Sequence, residues 1–248
     1  YFLIGIPAID QRFWFAAAVT GILNGIALPL LFKAYEIGEF SSVYSMILMT
    51  PVFLLFTSFI FLGERPEFLG VIGVLLTVLG LWIITMINHA HTAVPDFSRG
   101  NWLGVSVAAI WSVAVNFDKT AARYSDAFFA PGIIMAIISI ATLIFLLVRQ
   151  RGILVKNTRE NSAEANGSAL FSGVVVIFLL VGAMALSNVL HNAALLVGPA
   201  SYTIAIKRVG ILFGVVWGWL FFKEKNISRK LFGTAVAVSG VIVILFSQ

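Results

Sequence analysis

Long apolar stretches separated by short polar segments run along the whole chain. A helix needs about 20 mostly apolar residues to cross about 30 Å of hydrocarbon, and eight stretches of this kind occur. They cover residues 13–32, 42–62, 68–87, 102–121, 128–148, 170–190, 202–222 and 231–246. The one long polar connection, residues 149–168, is predicted to be a solvated loop. The pattern predicts an all-α polytopic membrane protein with eight transmembrane helices.

The composition excludes an ordinary soluble domain. Of the 248 residues, 60% are hydrophobic and 11% are charged, whereas soluble domains are about 45–50% apolar and about 25% charged. There is no cysteine, and the three histidines show no metal-ligand spacing, so we expect no metal and no cofactor. No P-loop, dinucleotide fingerprint or nucleophile–base arrangement occurs, so we do not expect an enzyme. The basic residues lie between apolar runs, which favours a role in membrane orientation over nucleic-acid binding.

An internal repeat is the most informative feature of the sequence. A shift of 160 residues aligns segment 34–84 with segment 194–244 without a gap, and ten of the 51 pairs are identical. Apolar bias explains matches of Leu, Val and Ile, but it does not explain matched glycines and acids. The informative pairs are Gly38 with Gly198, Glu64 with Glu224, Gly73 with Gly233, and Gly80 with Gly240.

The repeat also predicts the architecture. It pairs the second span with the seventh and the third with the eighth, a displacement of five helices. Five is odd, so equivalent helices cross the membrane in opposite directions, as in many secondary transporters. The fourth and fifth spans would pair with helices before Tyr1. We therefore expect eight helices of a ten-helix, five-plus-five bundle, with the first repeat in residues 1–88 and the second in residues 101–248.

The motifs at the ends of the repeated spans resemble those of the EamA-type branch of the drug/metabolite transporter superfamily. The sequence Leu-Gly-Glu-Arg-Pro at 62–66 and the sequence Phe-Lys-Glu-Lys at 222–225 are each followed by two glycines seven residues apart. Phe-Lys-Ala at 32–34 and Thr-Pro-Val-Phe at 50–53 fit the same pattern. The resemblance implies two inverted five-helix repeats, a central cavity between them, and export or exchange of small metabolites.

Ionisable residues at membrane depth are candidate functional residues. Lys207 and Arg208 in the seventh span either snorkel to the interface or form a basic lobe that attracts a substrate carboxylate or phosphate. Successive helical residues lie about 100° apart, so we expect only Lys207 to face the cavity. In the sixth span, Asn188 and His191 share one face with Ser187 and Asn192. They form either interhelical hydrogen bonds or a polar cavity wall.

The fourth span carries two further polar stripes. Asn116 and Lys119 lie on one, and Trp111 and Asp118 on the other. We predict that these residues contact substrate, except Asp118, which is the candidate proton carrier of a proton-driven mechanism. The alternative for Asp118 is a place near the helix end, paired with a basic neighbour. Asn24 in the first span and Tyr44 in the second are weaker candidates for the cavity wall.

Several repeated residues are predicted to be structural. Glu64 and Glu224 each precede a helix, where a carboxylate favours the N-terminal dipole. Small residues at regular spacing let helices approach closely. Two such sets occur: Gly210, Gly214 and Gly218 in the seventh span, and Gly73, Gly80, Gly233 and Gly240 in the third and eighth.

These features predict a secondary transporter that moves a small polar metabolite, anionic or zwitterionic, by alternating access. The alternatives are a flippase for a lipid-linked sugar phosphate, an intramembrane enzyme and a non-transporting scaffold. The expected partners are a small-molecule substrate and the lipid bilayer, with a homodimer left open. We expect a multi-pass protein of a bacterial inner membrane. Loop charges favour termini outside, whereas the resemblance implies cytoplasmic termini, so the orientation is left open.

Overall fold

The computed structural model describes residues 9–38, 40–87, 99–149, 167–210, 213 and 227–247. Within these ranges the chain is helical, and no strand occurs there. The helices are Gln11–Ile37 (α1), Phe40–Ile47 (α2), Thr50–Leu62 (α3), Phe68–Ile87 (α4), Arg99–Arg123 (α5), Phe129–Arg149 (α6), Gly167–Val197 (α7), Ala200–Arg208 (α8) and Ile227–Phe246 (α9).

The helices follow the predicted spans and confirm the all-α membrane fold. Helices α2 and α3 together form the second span, and α8 is the described part of the seventh. Four described helical stretches have the length and hydropathy to cross a bilayer, and three shorter ones are also apolar. The four are Gln11–Ile37, Val43–Leu62, Arg99–Arg123 and Phe178–Val197. The division of the chain into repeats at residues 88 and 101 stays a prediction.

Polar residues and one glycine mark where several helices begin or end. Asp10 caps α1 by accepting a hydrogen bond from the backbone N–H of Arg12 at 2.8 Å. Asp126 does the same for α6, accepting from the N–H groups of Phe128 and Phe129 at 2.7 and 2.6 Å. These bonds satisfy donors that the first helical turn leaves free. Gly63 ends α3 with φ of +67°, a left-handed conformation that glycine adopts without steric cost.

Helices α4 and α9 pack against each other in antiparallel orientation through the glycines of the repeat. A Cβ atom built on Gly73 would lie 2.7 Å from the carbonyl oxygen of Gly240, and one built on Gly80 would lie 2.6 Å from that of Gly233. The residue number therefore rises along one helix as it falls along the other. Gly73 meets Gly240, the repeat equivalent of Gly80, and Gly80 meets Gly233, the repeat equivalent of Gly73. This exchange is the pattern of a two-fold relation. This is the orientation that a displacement by five spans requires.

The second span is broken in its middle. Helix α2 ends at Ile47 and α3 begins at Thr50. Pro51 has no N–H to donate to the carbonyl of Ile47, four residues earlier, and the hydroxyl of Thr50 donates to that carbonyl instead, at 2.6 Å. The N–H of Met49 bonds three residues back, to Met46, at 3.1 Å, so the turn is of 3₁₀ type.

The seventh span has the same feature at the equivalent position. Val209 is 160 residues beyond Met49, and its N–H also bonds three residues back, to the carbonyl of Ile206, at 3.0 Å. Helix α8 ends at Arg208. The predicted spans were continuous, so these breaks were missed in the sequence analysis. Interrupted helices at corresponding positions of two repeats indicate a binding site near the membrane midplane.

Candidate functional site

A cavity of about 250 Å³ lies among α1, α3, α5, α6, α7 and α8. Helix α5 is central to the bundle around the cavity, since it contacts α1, α2, α3, α6, α7 and α8. Seven of the ten residues predicted to contact substrate or carry a proton line the cavity. They are Asn24, Trp111, Asp118, Asn188, His191, Lys207 and Arg208. The breaks in the second and seventh spans border it, since Thr50 and Arg208 are both lining residues.

Lys207 and Arg208 are the basic residues of the cavity wall, and the imidazole of His191 lies in the same wall. We expected only Lys207 to face inward, and this was wrong because Arg208 lines the cavity too. Both residues belong to α8, and an angle of about 100° between them still lets two long side chains border the same cavity. Arg208 also interacts with the side chain of Tyr44 on α2. Tyr44 therefore reaches the site through Arg208 and is not among the lining residues.

The acidic residue of the cavity wall is Asp118 on α5. Its carboxylate accepts a hydrogen bond from the hydroxyl of Thr20 on α1 at 2.6 Å. The side-chain amide of Asn24, also a lining residue, donates to the backbone carbonyl of Thr20 at 2.9 Å. Asp118 is thus in the cavity wall, close to the end of α5 at Arg123, and its hydrogen bond comes from a neutral hydroxyl and not from a basic side chain. Lys207 is close enough to act on it electrostatically.

Helix α7 contributes Asn188, His191 and Asn192. The side-chain amide of Asn192 donates to the carbonyl of Asn188 at 3.0 Å, so its nitrogen is satisfied within the helix. Within the described part of the chain, Nδ1 of His191 and Oδ1 of Asn192 are buried without a hydrogen-bond partner. A buried polar atom without a partner costs about 1–3 kcal/mol. A polar ligand in the cavity, or water, would supply the missing bonds.

The remaining wall is apolar. Helix α6 supplies Pro131, Ile134, Met135 and Ile138. None of these residues was predicted, because an apolar residue in an apolar span gives no sign of which face it occupies. Thr50, which also lines the cavity, was not among the predicted site residues. Among the described residues, no group of three or more His, Asp or Glu side chains is placed to hold a metal.

The structure does not bring Asn116 and Lys119 to the cavity. The side-chain amide of Asn116 donates to the hydroxyl of Thr57 at 3.1 Å and to the carbonyl of Ser112 at 2.7 Å, and the residue lies beside a separate groove. Lys119 forms a buried ion pair with Glu64, with Nζ to Oε1 at 2.6 Å. Both belong to the stripe of α5 that does not carry Asp118. The face of α5 that meets α3 was therefore mistaken for the cavity face.

The prediction for Glu64 was wrong about which helix it serves. Its Oε2 accepts from the backbone N–H of Ala200 at 2.9 Å, in the first turn of α8, and not from the start of α4. A carboxylate is favourable at that position because the free N–H groups carry partial positive charge. Of the other predicted structural residues, Gly214, Gly218 and Glu224 lie outside the described residues. Gly210 is described and follows the end of α8.

A multi-helix membrane bundle that encloses a charged cavity has the architecture of a membrane transporter. The EamA-like transporter family matches residues 1–86 and 98–246. The chain therefore belongs to this family and is an integral, multi-pass membrane protein. Membership in a transporter family also favours transport over an enzymatic role.

Two curated relatives are similar to almost the whole chain. An uncharacterized transporter of Methanothermobacter thermautotrophicus is 21% identical over 242 residues, which are 96% of this chain and 66% of the relative. The pseudopaline exporter CntI of Pseudomonas aeruginosa is 26% identical over 227 residues, which are 91% of this chain and 73% of the relative. This chain thus spans about two thirds to three quarters of their lengths. A solved crystal structure shares the fold with a TM-score of 0.65 and 15% identity, covering 97% of this chain and 90% of that one.

Proposed function

We propose that this chain is a secondary transporter that moves a small anionic or zwitterionic metabolite through the cavity by alternating access. The observation that carries the proposal is the set of polar and charged groups in one cavity wall: the cations Lys207 and Arg208, the carboxylate Asp118, and the imidazole of His191. A carboxylate or phosphate of the substrate would bind Lys207 and Arg208. A substrate ammonium would bind Asp118, which makes a zwitterion the best match. We further propose that the protein works in a bacterial inner membrane.

The size of the cavity limits the substrate. Pockets for drug-sized ligands measure about 300–1,000 Å³, and this cavity measures about 250 Å³. Cargo of this size is a small metabolite and not a peptide or an oligosaccharide. The unpartnered Oδ1 of Asn192 favours a cargo with a hydrogen-bond donor. The name of the Pseudomonas relative, an exporter of pseudopaline, makes export of a small metabolite the first direction to assay.

Alternating access is supported by the antiparallel packing of α4 and α9 and by the paired breaks in the second and seventh spans. Two similar units of opposite orientation can exchange conformations, so that a central site opens first to one side of the membrane and then to the other. The breaks lie beside the cavity, where a bend would change access without unfolding a helix. In this scheme Asp118 carries either the ammonium of the substrate or the coupling proton.

The test is transport in proteoliposomes loaded with a panel of amino acids and dicarboxylates, using the parent chain, Lys207→Ala and Asp118→Asn. Loss of one charge-assisted contact is expected to weaken transport about tenfold or more. The matched control is Lys33→Ala, since Lys33 is 52% exposed in a surface pair with Glu36. Unchanged transport in both cavity variants would remove these residues from the mechanism. Loss only in Asp118→Asn, together with loss of dependence on a proton gradient, would assign Asp118 to the proton.

A flippase for a lipid-linked sugar phosphate is the second candidate, because a second groove favours it. This groove measures about 430 Å³, lies between α7 and α8, and shares His191 and Lys207 with the cavity. Leu186, Leu190 and Ile206 give it an apolar lining, which suits a hydrocarbon tail. Translocation of a fluorescent polyprenyl phosphate by the same proteoliposomes, without transport of any soluble compound, would favour this function over the first.

A further inference from the structure

Four helices are joined by a polar cluster at the end of the bundle where α8 begins. Glu64, which follows α3, bonds through Oε1 to Nζ of Lys119 on α5 at 2.6 Å and through Oε2 to the N–H of Ala200 on α8 at 2.9 Å. Lys119 also donates to the carbonyl of Gly198, which follows α7. The Lys119 side chain is 3% exposed and that of Glu64 is 11% exposed. We name these four residues the latch.

The backbone holds Glu64 in place for these contacts. Gly63 adopts the left-handed conformation at the end of α3, and its N–H bonds to the carbonyl of Phe59 at 3.1 Å. The N–H of Glu64 then bonds to the carbonyl of Ser58 at 3.2 Å. A helix end with two such bonds is rigid, so the carboxylate projects from a fixed point of the first repeat.

An apolar cluster lies between the latch and the cavity and joins the same four helices. It consists of Leu54 on α3, Val115 on α5, Leu195 on α7, and Ala200 and Ile204 on α8, each less than 8% exposed. We name it the plug. Val115 and Ile204 are also lining residues of the cavity. Cavity, plug and latch therefore follow one another along α8.

The spacing on α8 shows this order directly. Ala200 belongs to the latch and the plug, Ile204 to the plug and the cavity wall, and Arg208 to the cavity wall, and these residues are four apart on one face of the helix. Each step of four residues is about 6 Å along the axis. Along α8 the plug therefore occupies one helical turn between the latch and the basic end of the cavity. On α5, Asp118 of the cavity wall and Lys119 of the latch are consecutive residues on different faces of the helix.

We infer that the latch and the plug form the gate that closes the cavity on this face of the membrane, with Glu64 as the residue that holds it shut. The inference rests on the proposed transport function. Glu64 and Leu54 belong to the first predicted repeat, and every other member of the gate belongs to the second. Movement of α3 away from α5, α7 and α8 breaks the latch and opens the plug in one step.

The chemistry of the latch suits a contact that forms and breaks repeatedly. Burying an ion pair costs hydration energy that the attraction between the charges roughly offsets. When the gate opens, both charges regain water, so the open state is not left with an uncompensated buried charge. The plug excludes water while the gate is closed. The latch holds α3 in position against α5, α7 and α8, so that the plug residues stay in contact.

The test uses the fact that the chain has no cysteine, so one introduced thiol is the only reactive one. Val115→Cys places this reporter in the plug. Its labelling by a membrane-impermeant maleimide is followed in sealed vesicles of both orientations, in the parent background and with Glu64→Gln. An amide has only one acceptor oxygen, so Gln cannot hold both Lys119 and Ala200. Labelling is expected to rise about tenfold, as for loss of one charge-assisted hydrogen bond, and in one vesicle orientation only.

Two controls separate a gate from a general structural role. Glu36→Gln removes a carboxylate from the surface pair with Lys33, where the Glu36 side chain is 61% exposed, and should leave labelling of the plug unchanged. Ala17→Cys is a second reporter, fully buried in a different cluster of α1, α5 and α6, and should stay protected in the Glu64→Gln background. Lys119→Met provides a second variant of the latch and should act as Glu64→Gln does.

Two results would overturn the inference. One is plug labelling that stays at the parent rate in Glu64→Gln while Ala17→Cys remains protected. The other is labelling of Val115→Cys and Ala17→Cys that rises together, which would assign Glu64 to the stability of the whole fold. The assay needs no substrate. Failure of the gate is therefore distinguishable from failure of the transport proposal, which depends on Lys207 and Asp118.

Discussion

Among the described residues, the hydroxyl of Thr20 is the hydrogen-bond donor that positions the Asp118 carboxylate. Thr20 is fully buried and donates to it at 2.6 Å, while Asn24 holds the adjoining backbone of α1. Thr20 is not itself a lining residue of the cavity, so it acts as a positioning residue for Asp118. The sequence could not show this, because the two residues are 98 positions apart and a threonine in an apolar span has many ways to satisfy its hydroxyl.

We predict that Thr20→Val lowers transport about tenfold, because loss of a hydrogen bond to a charged group costs about 1.5–3 kcal/mol. Valine keeps the shape of the side chain and removes only the hydroxyl. The measurement is initial transport rate in proteoliposomes, repeated in an Asp118→Asn background. If Thr20 acts through Asp118, Thr20→Val causes no further loss of transport in the Asp118→Asn background. Additive losses would contradict this.

Ser106→Ala is the control for this prediction. The hydroxyl of Ser106 donates to the carbonyl of Trp102 one turn earlier at 2.9 Å, on an exposed part of α5. Its removal takes away a similar hydroxyl without touching the cavity. We expect transport at the parent rate.

At the scale of helices, the glycines of α4 and α9 determine how closely the two repeats approach. A Cβ built on Gly80 would lie 2.6 Å from the carbonyl oxygen of Gly233, and the obstacle is backbone, which cannot rotate away. Between membrane helices, close van der Waals contact and not apolar burial supplies most of the attraction. A single methyl group at this crossing therefore separates surfaces along both helices.

We predict that Gly80→Ala destabilises the protein by about 1–3 kcal/mol, the usual cost of overpacking. The matched control is Gly132→Ala on α6, where a Cβ meets nothing within 4 Å. That substitution should be neutral or should stabilise by up to about 1 kcal/mol, since alanine is the better helix former. Thermal unfolding in detergent measures both. Equal transition temperatures for the two variants would contradict the prediction, because they would show that α4 and α9 can move apart at Gly80 without loss of stability.

Hydropathy predicted the helices well because a membrane span has to be apolar along its whole length. It did not predict the breaks, since residues 47–50 are as apolar as their neighbours. Pro51 was the available signal: it removes the backbone donor for the carbonyl of Ile47 and favours a bend one turn earlier. In the seventh span no proline is present near Val209. There the break could be predicted only from the repeat, because Val209 is the residue equivalent to Met49.

For the molecule as a whole, the repeat in the sequence predicted the antiparallel packing of α4 and α9. It could not predict which side of α5 faces the cavity. Asn116 and Lys119 are as polar as Asp118, and only the positions of α1 and α3 decide that Asp118 faces the site while Lys119 pairs with Glu64. Helical periodicity shows which polar residues share a face of a helix. It does not show which other helix that face contacts, because tertiary packing decides this.

The last prediction concerns motion between the two repeats. If the first repeat moves against the second, a cross-link between Leu54→Cys on α3 and Leu195→Cys on α7 should stop transport, because both residues lie in the plug and belong to different repeats. A cross-link between Val115→Cys and Leu195→Cys joins two residues of the second repeat and should leave transport largely intact. A short bifunctional thiol reagent forms both cross-links in this cysteine-free chain, and each variant is compared with its single-cysteine parents.

The pair of cross-links separates rigid-body motion of the repeats from local motion of single helices. Arrest by the first cross-link alone, reversed when the linker is cleaved, is expected because transport then requires α3 to leave the plug. Arrest by both would mean that α5 and α7 also move apart within the second repeat. Arrest by neither would mean that the plug stays closed throughout the cycle, and substrate would then have to reach the basic wall at Lys207 by another route, such as the groove between α7 and α8.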